Sequence, residues 1–289
     1  MYRIFHTTVF ANAPAGGNPC PVILDADLLS TEEMQKMTKS FGFESVFILE
    51  SLKQDCDFHL KYFVPLHEME MCVHATIAAT TILVLENRVQ KHDLYYETLL
   101  GNIHVRWMKD NGNIKVQVWQ FLPQKQSITP SVSEICHALQ ISDDMLADYP
   151  IASYSTSRFK LMVPIKSREI MDAITPNFSL IKEVCKQYQT TGFYPFTIEK
   201  HRSDVCIYAR QFPQNSGYPE DAATGVAASA LGNYLVENQI ISTHDGWNIQ
   251  KIYQGQAMGH PSLLESKILI ENNKIKEVCI CGYAQITQV

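Results

Sequence analysis

The sequence of 289 residues lacks the features of proteins that bind nucleic acids, membranes or nucleotide phosphates. Lysine and arginine form no cluster, and the net charge of -6 is spread along the chain. The longest mostly apolar run, residues 77–85, is far too short to span a bilayer. The glycines at 16–17 are followed by neither a GxGxxG nor a GK[ST] pattern. We therefore expect no nucleic acid and no membrane as a partner.

Cysteine is present, but not in a pattern typical of a disulfide framework or a zinc site. The eight cysteines form no CxxC motif. Reduced thiols in a cytosol are the simplest interpretation, and the N-terminal residues show no signal-peptide pattern. The sequence therefore predicts a cytoplasmic location. With 46% hydrophobic and 19% charged residues, the composition is that of an ordinary globular protein.

The pattern along the chain predicts two halves of similar construction. Each half combines several strand-like runs with one alanine-rich, buried helix, at 75–87 in the first half and at 224–238 in the second. Capping boxes that begin at Ser30 and Ser131 predict two further helices. Because the strands do not alternate regularly with helices, we expect an α+β fold.

A change of composition at 122–130 marks the predicted boundary between two domains. The first domain covers residues 1–121, and the strand-like segment 278–289 is a candidate to join it. The second domain covers residues 128–289. Domains of about 120–150 residues are more usual than one core for a chain of this length.

The most informative segments are two related turns, one in each half. Glu220 and Asp221 are followed by a small-residue turn that ends at Gly225 and opens the second alanine-rich helix. In the first half, the turn that contains Cys72 and His74 opens the other one. An acid at such a turn can direct its carboxylate at a ligand, and the N–H groups of a helix start can face the same space. The two turns predict one site shared by both halves.

These turns belong to an ordered series of motifs that resembles the PhzF-like family of phenazine biosynthesis, which shares the diaminopimelate epimerase fold. The resemblance covers almost the whole chain and is carried by Gly17-Asn18-Pro19, Phe43-Glu44-Ser45, Phe63-Val64-Pro65, Cys72-Val73-His74, Arg210-Gln211-Phe212-Pro213, the segment from Glu220 to Gly225, and Gly259-His260-Pro261. It implies two similar domains, each a β-barrel wrapped around a central helix, with the active site in the cleft between them. It also implies a homodimer.

The resemblance further implies a cofactor-independent isomerase that shifts a proton between carbons of a small carboxylate-bearing substrate. Glu44 would be the catalytic general acid and base. The residues expected to bind substrate are His74, Asp221, Val73, Gly225 and Asn18. No metal and no cofactor are expected.

Proton transfer at carbon favours a base whose pKa is raised by burial. Glu44 has apolar neighbours in sequence, among them Phe43, Val46 and Phe47. These neighbours predict a raised pKa for Glu44.

Two alternative functions remain open at this stage. Related epimerases use one thiol from each half, and Cys72 occupies the first of these positions, whereas Ala222 occupies the second. A two-base amino-acid racemase or epimerase is therefore an alternative that Ala222 argues against. The second alternative is a non-catalytic binding protein that retains the fold. Departures from the family pattern at Val73, Ala222, Val226 and His260 motivate it and leave the substrate undetermined.

The first turn also contains candidate metal ligands. Glu68, Glu70, Cys72 and His74 would share one face of a strand and offer ligands that zinc accepts. The expected helix start at His74 would break that shared face, so we expect no metal there.

Overall fold

A computed structural model describes residues 1–201 and 204–288 of the chain. Its strands follow one another as β1 (Arg3–Val9), β2 (Asn18–Leu24), β3 (Ser45–Glu50), β4 (Phe58–Phe63), β5 (Glu68–Met69), β6 (Asp93–Thr98), β7 (Gly101–Asp110), β8 (Asn113–Gln120), β9 (Gln124–Lys125), β10 (Ala152–Ser155), β11 (Lys160–Pro164), β12 (Gly192–His201), β13 (Asp204–Ala209), β14 (Phe212–Pro213), β15 (Gly246–Gln254), β16 (Ser262–Glu271) and β17 (Lys274–Gln288). The α-helices are α1 (Thr31–Phe41), α2 (Val73–Leu85), α3 (Val132–Leu139), α4 (Arg168–Ala173), α5 (Phe178–Gln187) and α6 (Gly225–Glu237).

The first half of the chain, together with the C-terminal strand β17, forms a closed barrel around α2. Its eight strands pair in the order β1-β2-β3-β4-β6-β7-β8-β17, and β17 closes the barrel against β1. Residues 73–83 of α2 are all buried because strands surround the helix. A helix that is apolar on every side is stable only in such an interior. The predicted buried helix at 75–87 is confirmed, and it begins two residues earlier than the pattern indicates.

The second half wraps a curved sheet around α6 in the same way. The strands pair in the order β16-β15-β13-β12-β11-β10, and β9 extends the far edge. The predicted helix at 224–238 is confirmed as α6. The long β17 pairs first with β16 and then with β8 and β1, so it belongs to both sheets. The final residue of the predicted segment 278–289 lies outside the described residues.

The predicted fold class is confirmed: the chain is an α+β protein with two similar strand-rich halves, each built on a central helix. The two capping boxes are also confirmed. Ser30 accepts a hydrogen bond from the Glu33 backbone at the start of α1, and Ser131 accepts one from Glu134 at the start of α3. Helices α3, α4 and α5 lie outside the second sheet over a core of their own. Within residues 1–201 and 204–288, no helix is both long and apolar enough to cross a membrane.

Candidate active site

A small cavity of about 70 Å³ lies where the two halves meet. The first half contributes Glu44, which directly precedes β3, and the turn into α2 with Cys72, Val73 and His74. The second half contributes the segment that leads into α6, and the start of β11. The residues lining it from the second half include Arg158, Lys160, Gln211, Tyr218, Asp221, Thr224, Gly225 and Val226. Both predicted turns therefore reach one shared site.

Glu44 lies at the centre of a hydrogen-bonded cluster in this cavity. Its side chain is 11% exposed, and its Oε2 atom lies 3.0 Å from Nε2 of His74. Tyr218 donates a hydrogen bond of 2.7 Å to the other carboxylate oxygen, Oε1. The Cys72 thiol donates a longer one to Oε2 at 3.4 Å. Glu44 and His74 come from the first half and Tyr218 from the second, so the cluster spans the cleft.

The pKa of Glu44 differs from the one that its sequence neighbours predict. Burial by itself raises this pKa, but the charge and hydrogen bond of His74, with hydrogen bonds from Tyr218 and Cys72, outweigh burial and lower it to about 2. The prediction of a raised pKa was therefore wrong. Of the apolar neighbours, Phe43 is 49% exposed, and Phe47 packs in a separate core with Met34. Glu44 is consequently an ionised carboxylate that can accept a proton.

His74 and Asp221 complete a triad of titratable groups with Glu44. Burial works against a charge on His74, but the neighbouring Glu44 raises its pKa above 6.5. Burial, together with the charge of Glu44, raises the pKa of Asp221 to about 6. Interaction between ionised groups in a buried site couples their titrations. The cluster thus holds an ionised carboxylate, an imidazole whose charged form Glu44 stabilises, and a second acid whose pKa is raised.

Asp221 is held by contacts from both halves. Asn18 Nδ2 donates to its Oδ1 at 2.6 Å, and the Ala223 backbone N–H donates to the same oxygen at 3.4 Å. The Thr224 hydroxyl donates to Oδ2. The backbone N–H of Asp221 donates to the carbonyl of Gln211 at 3.1 Å. The carboxylate therefore has a fixed direction toward the cavity.

The starts of α2 and α6 face each other at this cavity. Each helix has 13 residues, and neither N-cap residue, Cys72 or Thr224, makes a side-chain capping hydrogen bond. A Cβ atom on Gly225 would lie 2.6 Å from Cβ of Val73, so the first residues of the two helices touch. The first N–H groups of a helix have no partner within the helix, and its N-terminus carries a partial positive charge. Two such ends form a site suited to a carboxylate.

The structure places the predicted site residues in two groups. Glu44, His74, Val73, Gly225 and Asp221 all line the shared cavity. Asn18 instead lines a neighbouring cavity of about 320 Å³, on the other side of Glu44, Tyr218 and Asp221. Its amide contacts the Asp221 carboxylate and the carbonyl of Ala223. Within the structure, Asn18 therefore holds Asp221 in position.

Glu220, adjacent to Asp221, has a different role. It accepts two hydrogen bonds from Arg210, at 2.9 Å from Nε and 2.7 Å from the terminal nitrogen Nη2. The same guanidinium donates to the carbonyls of Met171 and Ile174 through Nη1, each at 2.9 Å. Glu220 consequently anchors the segment that carries Asp221.

Several cavity residues were given no site role by the sequence interpretation, among them Tyr218, Lys160 and Gln211. Tyr218 lies three residues before Asp221, and its position beside the Glu220–Gly225 segment was the one available signal. Burial and the charge of Glu44 raise the pKa of Tyr218 well above 10, which keeps the hydroxyl a neutral donor. Lys160 occurs in a strand-like segment with no motif of its own, whereas Gln211 belongs to the motif Arg210-Gln211-Phe212-Pro213 but was given no role in the site.

Cys72 is buried, and burial raises the pKa of its thiol well above 9. Among the described residues that line the cavity, it is the one cysteine, and Ala222 offers no second thiol. A neutral thiol is a weak nucleophile and a weak base. The cavity therefore lacks the pair of thiols that a two-thiol inversion needs.

The strand face considered for a metal does not form. Helix α2 begins at Val73, Glu68 lies beside Lys61, and Glu70 pairs with Arg158. Donor atoms of Glu44, Cys72 and His74 do lie within 4.8 Å of one another. These are ligand types that zinc accepts, although Glu44 and His74 already contact each other. The absence of a metal stays a prediction.

Comparison with known proteins places the chain in a family. The family model described as "phenazine biosynthesis-like protein" matches residues 7–288. The chain belongs to the PhzC-PhzF family. An uncharacterised isomerase of Clostridium acetobutylicum is 30% identical, with 99% of this chain and 96% of the relative covered. The trans-2,3-dihydro-3-hydroxyanthranilate isomerase of Pseudomonas chlororaphis is 28% identical, with coverage of 98% and 96%.

The solved structures agree with this assignment. A PhzF-family phenazine biosynthesis protein of Bacillus anthracis superposes with a TM-score of 0.89 at 27% identity, covering 100% of this chain and 98% of that one. The chain is therefore a PhzF-family isomerase. Of the four departures from the family pattern, Val73 and Val226 line the shared cavity. Ala222 and His260 line the neighbouring one instead.

Proposed function

We propose that this PhzF-family isomerase shifts a proton between two carbons of a small carboxylate-bearing substrate without a cofactor. Glu44 is the base that removes the proton from carbon, and it returns a proton to another carbon of the same molecule. The observation that supports this proposal most strongly is the position of the ionised Glu44 between His74 and Tyr218 in a cavity that Asp221 also lines.

The substrate carboxylate binds at the paired starts of α2 and α6. Their uncapped N–H groups and helix dipoles favour a negative charge. Removal of a proton from a neighbouring carbon creates an enolate whose charge grows on the same carboxylate. Donors that are already oriented toward that charge lower the barrier, because they need no reorganisation during the reaction.

His74 and Asp221 adjust the charge around Glu44 during the transfer. The contact with His74 stabilises the Glu44 carboxylate before the reaction. When Glu44 takes the proton, this contact weakens, and the His74 imidazole is then free to donate to the developing charge of the substrate. Asp221, with its raised pKa of about 6, exchanges a proton near neutral pH.

The reaction of the Pseudomonas relative is the model for this chemistry. We propose trans-2,3-dihydro-3-hydroxyanthranilate as the first compound to test, in a panel of small carboxylates. Incubation in D₂O followed by NMR should show deuterium in one substrate or its product during turnover. The absence of exchange across the whole panel would argue for the non-catalytic alternative.

A two-base racemase is the second candidate function, motivated by Cys72. It predicts that an amino acid changes its configuration and that Cys72→Ala abolishes this change. Chiral chromatography of a panel of amino acids distinguishes it from the proton shift, because the proton shift moves a double bond and changes the ultraviolet spectrum.

A further inference from the structure

Gln211 has a buried amide that lines the active-site cavity without a hydrogen-bond partner. The residue is 1% exposed, and neither Nε2 nor Oε1 has a partner within residues 1–201 and 204–288. Its backbone forms an antiparallel bridge with Asp221. Residues directly opposite each other in such a bridge project to the same side. Gln211 and Asp221 therefore project to the same side and both line the cavity, with the Gln211 amide nitrogen beside Gly192 at the start of β12.

Lys160 brings a buried positive charge to the same cavity. The residue is 7% exposed, and its Nζ atom donates to the carbonyl of Thr191 at 3.3 Å. No carboxylate pairs with it in the part of the chain that the structure describes. Burial, followed by the neighbouring Arg158, lowers the pKa of Lys160 to about 8. An ammonium group has three donors, and buried donors are almost always satisfied.

Lys160 lies at the boundary between two spaces. It lines the small cavity and also an adjoining cavity of about 390 Å³, and Arg158 lines both as well. Arg158 pairs with Glu70, whose side chain is 55% exposed. Two cations therefore line both spaces, and the more buried one, Lys160, makes no ion pair among the described residues. Glu44 and Asp221 line the small cavity but not the adjoining one.

We infer that Lys160 and Gln211 bind a second acidic group of the substrate, separate from the carboxylate at the helix starts. The inference rests on the proposed function for the position of the reacting carbon. The substrate class is then a small molecule with two acidic groups, such as a dicarboxylate. One oxygen of the second group accepts from the Lys160 ammonium, and another accepts from the Gln211 amide.

Lys160 and Gln211 would act as specificity residues. A substrate with one carboxylate leaves the buried Gln211 amide without a partner and the Lys160 ammonium without an acidic one, whereas a substrate with two carboxylates satisfies both. Unpaired buried groups are an effective means of rejecting a ligand that lacks the matching atom. A hydrogen bond to a charged group adds enough free energy for a preference of about tenfold to a hundredfold.

The test measures the binding of matched pairs of acids to the intact protein, by calorimetry or by NMR titration. Succinate is compared with butyrate, and glutarate with valerate, because each pair differs by one carboxylate. The wild-type protein should bind the dicarboxylate at least about tenfold more tightly. Lys160→Met should remove this preference, because the second carboxylate loses its cationic partner. Lys182→Met, at an exposed position on α5, is the control and should keep the preference.

Equal affinities for the two acids of a pair in the wild-type protein would overturn the inference, and so would a preference that survives in Lys160→Met. If Lys160→Met does not fold, Gln211→Leu provides the second variant, and it should reduce the preference severalfold. Glu44→Gln should show the same preference for the dicarboxylate as the wild type, and this result separates the inference from the proposed reaction. A Glu44→Gln protein that remains active contradicts the reaction alone, because dicarboxylate binding does not require Glu44 as a base.

Discussion

Nε2 of His74 lies 3.0 Å from Oε2 of Glu44, and this contact sets the charges of both groups. It lowers the pKa of Glu44 to about 2 and raises the pKa of His74 above 6.5, although burial acts against both charges. The two residues reach this position from the start of β3 and the first turn of α2. The pair is the electrostatic centre of the site.

The first prediction concerns the pKa of His74. Glu44→Gln removes the carboxylate but leaves the imidazole buried, so the pKa of His74 should fall from above 6.5 to below it. An NMR titration of the imidazole ring measures both values. An unchanged pKa in the variant would show that Glu44 does not hold the His74 charge.

The same pair predicts how stability depends on pH. Glu44, with a lowered pKa, contributes stability above about 4.5 that is lost as the pH falls toward about 2. His74, with a raised pKa, contributes stability below 6.5 that is lost as the pH rises through its folded pKa. The difference in unfolding free energy between the wild type and Glu44→Gln should therefore be largest between pH 4.5 and 6.5.

The second prediction tests the contact between the two central helices. A methyl group on Gly225 would overlap Val73, so Gly225→Ala should lower the free energy of unfolding by about 1–3 kcal/mol. Val73→Gly removes the overlapping Cβ and should recover much of this loss in the double variant. Val73→Ala keeps that Cβ and should recover less. Additive losses in a double-mutant cycle with Val73→Gly would contradict the contact.

The third prediction concerns Tyr218. Tyr218→Phe removes a donor to the ionised carboxylate, so the pKa of Glu44 should rise and kcat/KM should fall by about tenfold. The acidic limb of the rate profile should move to higher pH. Tyr95→Phe, at a residue that is 42% exposed, is the matched control and should leave the profile in place. A pH–rate profile of Tyr218→Phe identical to that of the wild type would show that the Tyr218 hydroxyl does not lower the pKa of Glu44.

The fourth prediction separates Glu220 from its neighbour Asp221. Glu220→Gln leaves the buried charge of Arg210 without its partner and should cost about 3–5 kcal/mol of unfolding free energy. Asp25→Asn weakens a bidentate pair of the same type with Arg88, but on the surface, and should cost less than about 1 kcal/mol. Chemical denaturation measures both. Equal losses of unfolding free energy would show that the buried Arg210–Glu220 pair contributes no more to stability than the surface pair.

Local sequence patterns were sufficient to predict the central helices and the capping boxes. Alanine-rich runs with no polar face indicate helices buried on every side, and α2 and α6 have this environment. The residues Glu44, His74 and Asp221 could be placed in one site because their motifs resemble those of a known family. The resemblance also implied the two-barrel fold.

The remaining features depend on contacts between distant parts of the chain. The pKa of Glu44 was mispredicted because neighbours in sequence are not neighbours in space: Phe43 is exposed, and Phe47 belongs to another core. Tyr218, Lys160 and Gln211 reach the cavity only after the second sheet folds around α6, so no local pattern assigns them to the site, although Gln211 lies in one of the quoted motifs. The position of Asn18 behind Asp221 likewise depends on the contact between the halves.

The most direct test of the central claim is deuterium incorporation by Glu44→Gln. The wild-type protein in D₂O should place solvent deuterium on carbon of the substrate or product, as NMR or mass spectrometry detects. Glu44→Gln should lose this exchange, while Glu50→Gln, an exposed residue of the adjoining strand β3, should retain it. Exchange at the wild-type rate in a folded Glu44→Gln protein would contradict the assignment of Glu44 as the base.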